Sequence, residues 1–405
     1  MRKLLTTIFL FLVFSGVYST ARATTHVNIK NPSVEYTFGG QIIFRAEISA
    51  DKTFDNVFLF IQTENDTIEI IEHSQMNLPD EYVHILDLNE RPLRVFSQNT
   101  YWYQIIFDDG EEFISPIYDF YYEDNRFQWR SLESDIFQLY WYEGEIDFAQ
   151  SIINVAQEGL RKINEYFDAP KPETIKIYTY ASALEMQATL RLAGQNWVAG
   201  HANPDLQVIL VSLPPGPDQS LEIRRQIPHE LTHIMLYQAT GPAYENIPNW
   251  LNEGLASIAE LFPNPDYQLL LETSYQNGSL LPIADLCDSF PLEASSFLLA
   301  YAESTDFTRY LTQQFGKTGI HDLINVYAQG MSCERGVEVS LGTSLQQLER
   351  GWREERFNEN AAQNAIGQFF PWTILIIAVM LAPIILSLTK SKREGSYNSR
   401  PIPER

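Results

Sequence analysis

The sequence predicts an α+β protein: a β-sandwich, then a mixed domain that becomes helical, then one C-terminal transmembrane helix. Three observations predict it. Short alternations of apolar and polar residues, broken by turn signals, fill residues 27–124. From Ile146 onward the apolar residues recur with the longer period of helices. From Phe369 to Leu388 run 20 residues without a charge; at 1.5 Å per residue they span about 30 Å, the thickness of a bilayer core.

Taken in order, residues 1–23 read as a secretory signal. Arg2 and Lys3 precede the apolar stretch Leu4 to Val17, and Ala21-Arg22-Ala23 forms an A-x-A cleavage site. Residues 24–125 form the sandwich, of immunoglobulin-like type. Strands are expected at residues 41–48, 57–61, 67–71, 82–86, 101–107 and 113–121, with turns at Gly39-Gly40, Asn99-Thr100 and Asp108-Asp109-Gly110. Residues 126–360 form the second domain. A hairpin over Phe127 to Glu143 turns at Glu133-Ser134-Asp135, and an amphipathic helix covers Ile146 to Phe167. A strand at Ile175 to Tyr180, a helix at Ala183 to Ala193 and a strand at Val208 to Leu213 follow, and the chain reads as helical from Asp218 to about Gln329. Residues 361–368 connect to the membrane helix at 369–388, where Pro371 and Pro383 are tolerable. Lys390, Lys392 and Arg393 follow, which puts the tail 389–405 in the cytoplasm and gives a single-pass, type I cell-membrane protein with its large domains outside.

Composition narrows the function. Hydrophobic residues at 45% and aromatics at 13% exclude wholesale disorder. A net charge of −24 argues against a nucleic-acid partner, which needs a basic face for phosphates. Between Thr24 and Gln368 lie 20 of the 28 basic and 50 of the 52 acidic side chains, so the exported part is more acidic still. Both cysteines, Cys287 and Cys333, lie there as well. In an oxidising compartment they suit one disulfide, although spacing alone leaves two buried thiols open.

The stretch that carries chemistry is His229-Glu230-Leu231-Thr232-His233. Histidines four apart share a helix face, so two imidazole nitrogens can meet one ion, and the glutamate between them can reach a water there as general base. Ile227, Leu231, Ile234, Met235 and Leu236 make the helix largely buried, and Pro228 is expected to start or kink it. Catalytic zinc takes a third protein ligand and keeps one position open. Trp250-Leu251-Asn252-Glu253-Gly254-Leu255-Ala256-Ser257 supplies Glu253, 20 residues after His233, with Gly241-Pro242 and Ile247-Pro248 for the chain reversal between two helices.

HELTH followed by WLNEGLAS resembles the gluzincin zinc metallopeptidases, especially peptidase MA-like domains and the aminopeptidase N family, with a ligand spacing that also suits thermolysin-like enzymes. The resemblance covers roughly Phe127 to Gly351 and implies Zn2+ on His229, His233 and Glu253, with Glu230 as base and a peptide or protein as substrate. It also implies that Tyr301, which opens Tyr-Ala-Glu-Ser-Thr-Asp-Phe-Thr-Arg-Tyr-Leu, donates to the oxyanion. The strand before Pro214 is expected to be the edge that pairs with an extended substrate, with His201 on the segment that lines the cleft. No x-x-G-x-x-H extension follows His233, which disfavours a metzincin. The Gly-Ala-Met-Glu-Asn motif that anchors a free amino terminus in aminopeptidases is absent, which favours an endopeptidase over an exopeptidase. A surface binding protein that keeps the metal site without turnover is the alternative of another class.

Overall fold

The computed structural model describes residues 25–64, 69–75, 81–192, 200–359 and 370–383. The signal, the connector 361–368, the tail and residues 369 and 384–388 of the apolar run lie outside the described residues. The chain divides into two compact units, residues 1–126 and 127–405.

The first unit contains β1 (Val27–Thr37), β2 (Gln41–Ala50), β3 (Phe54–Thr63), β4 (Glu69–Gln75), β5 (Glu81–Asp87), β6 (Ser97–Phe107), β7 (Glu112–Ile114) and β8 (Tyr118–Tyr122). One sheet runs β1-β2-β5; the other runs β4-β3-β6-β7, with β8 also on β6. Alternation directs the packing: every second residue of β6 is buried, and Ile42, Phe44 and Ile48 of β2 are fully buried. Rings meet between the sheets, Phe44 on Tyr101 at 5.2 Å and Tyr82 on Tyr103 at 5.1 Å. The expected strand at 113–121 is two strands, because Pro116 has no N–H to give the ladder. Ser115 closes the first piece: its Oγ accepts from Tyr103 N at 2.9 Å.

The second unit is built on β9 (Arg130–Ser134), β10 (Phe137–Trp141), β11 (Ile175–Tyr180), β12 (Gly200–Asn203) and β13 (Val208–Ser212). Their order is β12-β13-β11-β10-β9. The three inner strands are parallel, and both edge strands are antiparallel to their neighbours. The strand before Pro214 is therefore not the edge. All five residues of β13 are buried, and β12 pairs outside it, Gly200 opposite Val211.

The unit also contains the helices α1 (Ile146–Ile163), α2 (Ala183–Leu192), α3 (Gln219–Thr240), α4 (Asn249–Ala259), α5 (Asp266–Asn277), α6 (Ala294–Ala328), α7 (Cys333–Leu341) and α8 (Leu345–Phe357). α6 bends at Gly316, whose φ of 64° falls where only glycine is at ease. Pro228 neither starts nor breaks α3, which begins nine residues earlier. The carbonyl that a residue-228 N–H would have bonded, Arg224 O, accepts instead from Leu261 N at 2.9 Å. Gly159 of α1 makes room for the proline ring, since a Cβ there would lie 3.0 Å from Pro228 Cβ. Proline thus sits at the α1–α3 crossing with no carbonyl left unpaired.

Cys287 and Cys333 form a disulfide, closing a loop over a separation of 46 residues. In the chain-entropy view such a loop stabilises the fold by about 4 kcal/mol. Residues 370–383 are helical, with Phe370, Trp372, Ile376 and Met380 exposed. No helix among the described residues is long and apolar enough to cross a membrane, so the full span expected at 369–388 is not met within them.

Candidate metal centre

Two helices that cross bring the cluster together. α3 carries His229 and His233 on one face, with ring centroids 5.2 Å apart. The chain then turns through a 3-10 segment, Gly241–Asn246, and α4 starts directly after Pro248, which aims Glu253 back at α3. Glu253 Oε2 lies 3.3 Å from His229 Nε2 and 3.9 Å from His233 Nε2. One ligand atom from each of the three residues lies within 4.8 Å of the others.

The donor set fits a metal ion. Glu253 Oε2 is buried and makes no hydrogen bond of good geometry. Both imidazoles turn Nδ1 away from the cluster toward fixed acceptors, which leaves each Nε2 lone pair facing inward. His229 Nδ1 donates to Glu260 Oε1 at 3.0 Å, and His233 Nδ1 donates to Asn252 Oδ1 at 2.9 Å. Asn252 in turn donates to the Tyr244 hydroxyl at 2.9 Å, which also lies 3.2 Å from His233 Nδ1. Two imidazoles and one carboxylate are a borderline-soft, three-ligand set of the kind that holds zinc with one position open.

Charge in the metal-free chain follows the same logic. Burial works against a charge on His229, but the carboxylates of Glu253 and Glu260 outweigh it and hold its pKa well above the usual histidine value. His233 is lowered, by burial and by its charged neighbour His229. Glu253 stays below the usual glutamate value despite burial, because both histidines favour its charge. The centre calls for a positive charge, which a proton or a cation can supply.

Glu230 points from α3 toward β12. Burial pushes its pKa up to about 7. Gly200 is what lets it approach: a Cβ there would sit 2.9 Å from Glu230 Cδ. Tyr301, from α6, sits beside Glu253, whose charge together with burial raises its pKa, and its ring lies 6.3 Å from that of His229. Phe290 and Phe297 flank it at 5.2 and 5.1 Å. The structure therefore brings together all five residues singled out from sequence. His201 sits on β12 opposite Leu210 and is not among the three clustered ligands.

Three participants were not foreseen. Asn252 was quoted only as part of WLNEGLAS, and its contact with His233 depends on the α3–α4 crossing. Glu260 falls seven residues after Glu253, two helical turns, a spacing that could have marked it as sharing a face. Tyr244 arrives from the 3-10 turn, where no sequence period operates.

Comparison with known proteins adds the family. No curated protein sequence matches the chain. Among solved structures, OgpA from Akkermansia muciniphila aligns at TM-score 0.21 and 13% identity, over 24% of this chain and 28% of its own. A polysaccharide deacetylase from Bacillus cereus aligns at TM-score 0.20 and 9% identity, over 42% of this chain and 57% of its own. Alignments this partial carry no argument about function. The family model described as the Peptidase MA superfamily matches residues 155–358, half of the chain and the whole of the α3–α4–α6 constellation. This chain belongs to the Peptidase MA superfamily.

Proposed function

We propose that the chain is a zinc-dependent peptidase that hydrolyses bonds within peptides, carried outside the cell membrane on a C-terminal anchor. The observation that carries the catalytic reading is the convergence of His229, His233 and Glu253 with Glu230 and Tyr301 beside them. His229 Nε2, His233 Nε2 and a Glu253 carboxylate oxygen would hold the ion. When bound, zinc polarises the scissile carbonyl and makes water a better nucleophile near neutral pH.

The chain's own groups handle protons and orientation. Glu230 accepts the proton of the attacking water and returns it to the leaving amine nitrogen. Burial, which favours the protonated carboxyl, helps Glu230 take up the proton before it is passed on. The Tyr301 hydroxyl donates to the oxygen that gains charge. β12, an edge strand of the sheet among the described residues, aligns an extended peptide by main-chain hydrogen bonds.

Replacing Glu230 by Gln keeps shape and removes the base. Zinc content should be unchanged and cleavage of N-terminally blocked peptides should fall by roughly 100-fold or more. Tyr301→Phe should cost less than that. A wild-type protein that holds zinc and cuts nothing in a broad library is a binding protein; one that trims only unblocked peptides is an exopeptidase.

The anchor rests on the uncharged run at 369–388, its basic flank and the signal at 1–23. Protease added to intact cells should remove the exported units and spare an epitope beyond Lys390. An epitope that is digested while those units survive reverses the orientation.

A further inference from the structure

A cavity lies next to the metal centre, with Glu260, the partner of His229, in its lining. It encloses about 390 Å³, within the range of small-molecule sites, about 300–1,000 Å³. α4, α5, α6 and α8 all contribute to its wall, through Ser257, Glu260, Tyr267, Asp306, Arg309 and Arg356 among others. None of these has a part in the proposed proton transfers. One of them, Glu260, touches the centre, through Oε1 on His229.

Its polar groups are divided in sign. Two buried oxygens of lining residues have no hydrogen-bond partner among the described residues: Glu260 Oε2 and Ser257 Oγ. Ser257 is 1% exposed and Glu260 6%. A buried carboxylate oxygen left unmatched costs free energy on the order of 1–3 kcal/mol, more when charged, so these two atoms favour a ligand that donates hydrogen bonds, most strongly from a charged group. Elsewhere in the lining two guanidinium groups share one carboxylate, and Arg356 Nη2 also lies 3.9 Å from Glu272 Oε1. Asp306 Oδ2 lies 3.5 Å from Arg309 Nη1 and 3.4 Å from Arg356 Nε, while Oδ1 accepts from Trp352 Nε1 at 2.8 Å. Asp306 is thereby fully engaged, and the arginines keep N–H groups to spare, with side chains 45% and 26% exposed. From Ala302 to Arg309 the wall runs along two turns of α6, about 10 Å.

We infer that this cavity is a binding site for a basic amino-acid unit, with its ammonium or guanidinium head on Glu260 Oε2 and Ser257 Oγ and its carboxylate or carbonyl oxygen on Arg309 and Arg356. Two carboxylates and two guanidinium groups make the lining neutral overall, which suits a zwitterion better than a simple cation or anion. The unit is a free amino acid or a residue of a peptide; both present the same groups. Use of the site by a peptide rests on the peptidase reading, whereas binding of the free amino acid does not. Because one carboxylate serves both the cavity and His229, an occupant also bears on how His229 is held.

Titration of the full-length protein with L-arginine and L-lysine, in the presence of a chelator that keeps the metal centre empty, tests the assignment. Saturable binding is expected. Agmatine, which lacks the carboxylate, and norvaline, which lacks the basic head, should each bind at least about 10-fold more weakly. Ser257→Val and Arg309→Ala should each weaken L-arginine binding by a similar factor without altering zinc content. Absence of saturable binding overturns the inference, and so does binding that both variants leave unchanged. A peptide-library digest then separates the sources: enrichment of Lys or Arg at one fixed position, lost in both variants, makes the cavity a substrate subsite. Retained amino-acid binding without enrichment makes it an effector site. A wild type that binds L-arginine yet cleaves nothing refutes the peptidase reading and leaves the cavity assignment standing.

Discussion

Glu260 acts on the metal centre at one remove. Its Oε1 fixes the ring of His229 through Nδ1, 3.0 Å away, as Asn252 fixes His233 from 2.9 Å. Partners of this kind set the tautomer and the aim of a ligating imidazole, and their loss typically weakens metal binding by about 10–100-fold. Glu260→Ala should do the same here, read as zinc affinity against a competing chelator, while Glu260→Gln, which still offers an oxygen, should lose less. Equal affinity for wild type and alanine variant would remove Glu260 from the centre. At this scale the sequence was legible where spacing on one helix decides contact: His229, Glu230 and His233 follow from period alone. Glu253 was legible from the need for a third ligand and the chain reversal that precedes it, and Tyr301 through resemblance alone. Tyr244 and Gly200 were not, because a phenol from a 3-10 turn and a glycine at a sheet edge matter only once two distant segments have met.

Between elements, the decisive contact is the α4–α6 crossing. Gly254 directly follows Glu253 and faces α6, where a Cβ would lie 2.6 Å from the Ser304 carbonyl oxygen and collide with Thr308 Oγ1. A backbone oxygen cannot step aside as a flexible side chain can, so α4 has to move. Gly254→Ala should cost about 1–3 kcal/mol by overpacking and, by displacing Glu253, should weaken zinc binding in the same protein. An alanine variant with unchanged melting temperature and unchanged zinc affinity would show that the crossing has slack. Elements were legible where local pattern and global packing agree. The strand at Ile175–Tyr180 has the expected ends, and α1 starts at the expected Ile146. They were misread where a partner elsewhere in the chain decides. Pro228 looks like a break until Leu261 N takes up the Arg224 carbonyl. The strand before Pro214 looks like an edge until four residues from Gly200 pair outside it.

For the molecule as a whole, the order of sheet-rich and helical regions was legible from the change in apolar period, because that period reflects how each element meets its core. The stability of the second unit toward pH was not, because it depends on which carboxyl ends up dry. One such carboxyl, outside the metal centre, is Glu303. It is fully buried on α6, accepts from Leu281 N at 2.9 Å through Oε1, and has an Oε2 without a partner. Burial raises its pKa from the ordinary 4.5 to about 8, with Glu349 adding to the rise and the Leu281 N–H and Arg353 opposing it. The sign follows from proton uptake. Between about pH 4.5 and pH 8 the folded chain keeps the Glu303 proton and the unfolded chain has released it, so stability falls as pH rises across that window. Integrated over the whole shift, the loss is at most about 5 kcal/mol, at roughly 1.4 kcal/mol per pH unit. Glu303→Gln keeps the acceptor for Leu281 N and cannot ionise. Urea unfolding should therefore show the variant close to wild type at pH 5 and more stable than wild type at pH 8, with the gap growing steadily between. A gap that is the same at both pH values would mean that Glu303 is ionised in the folded chain throughout, held by Arg353 more strongly than burial opposes it.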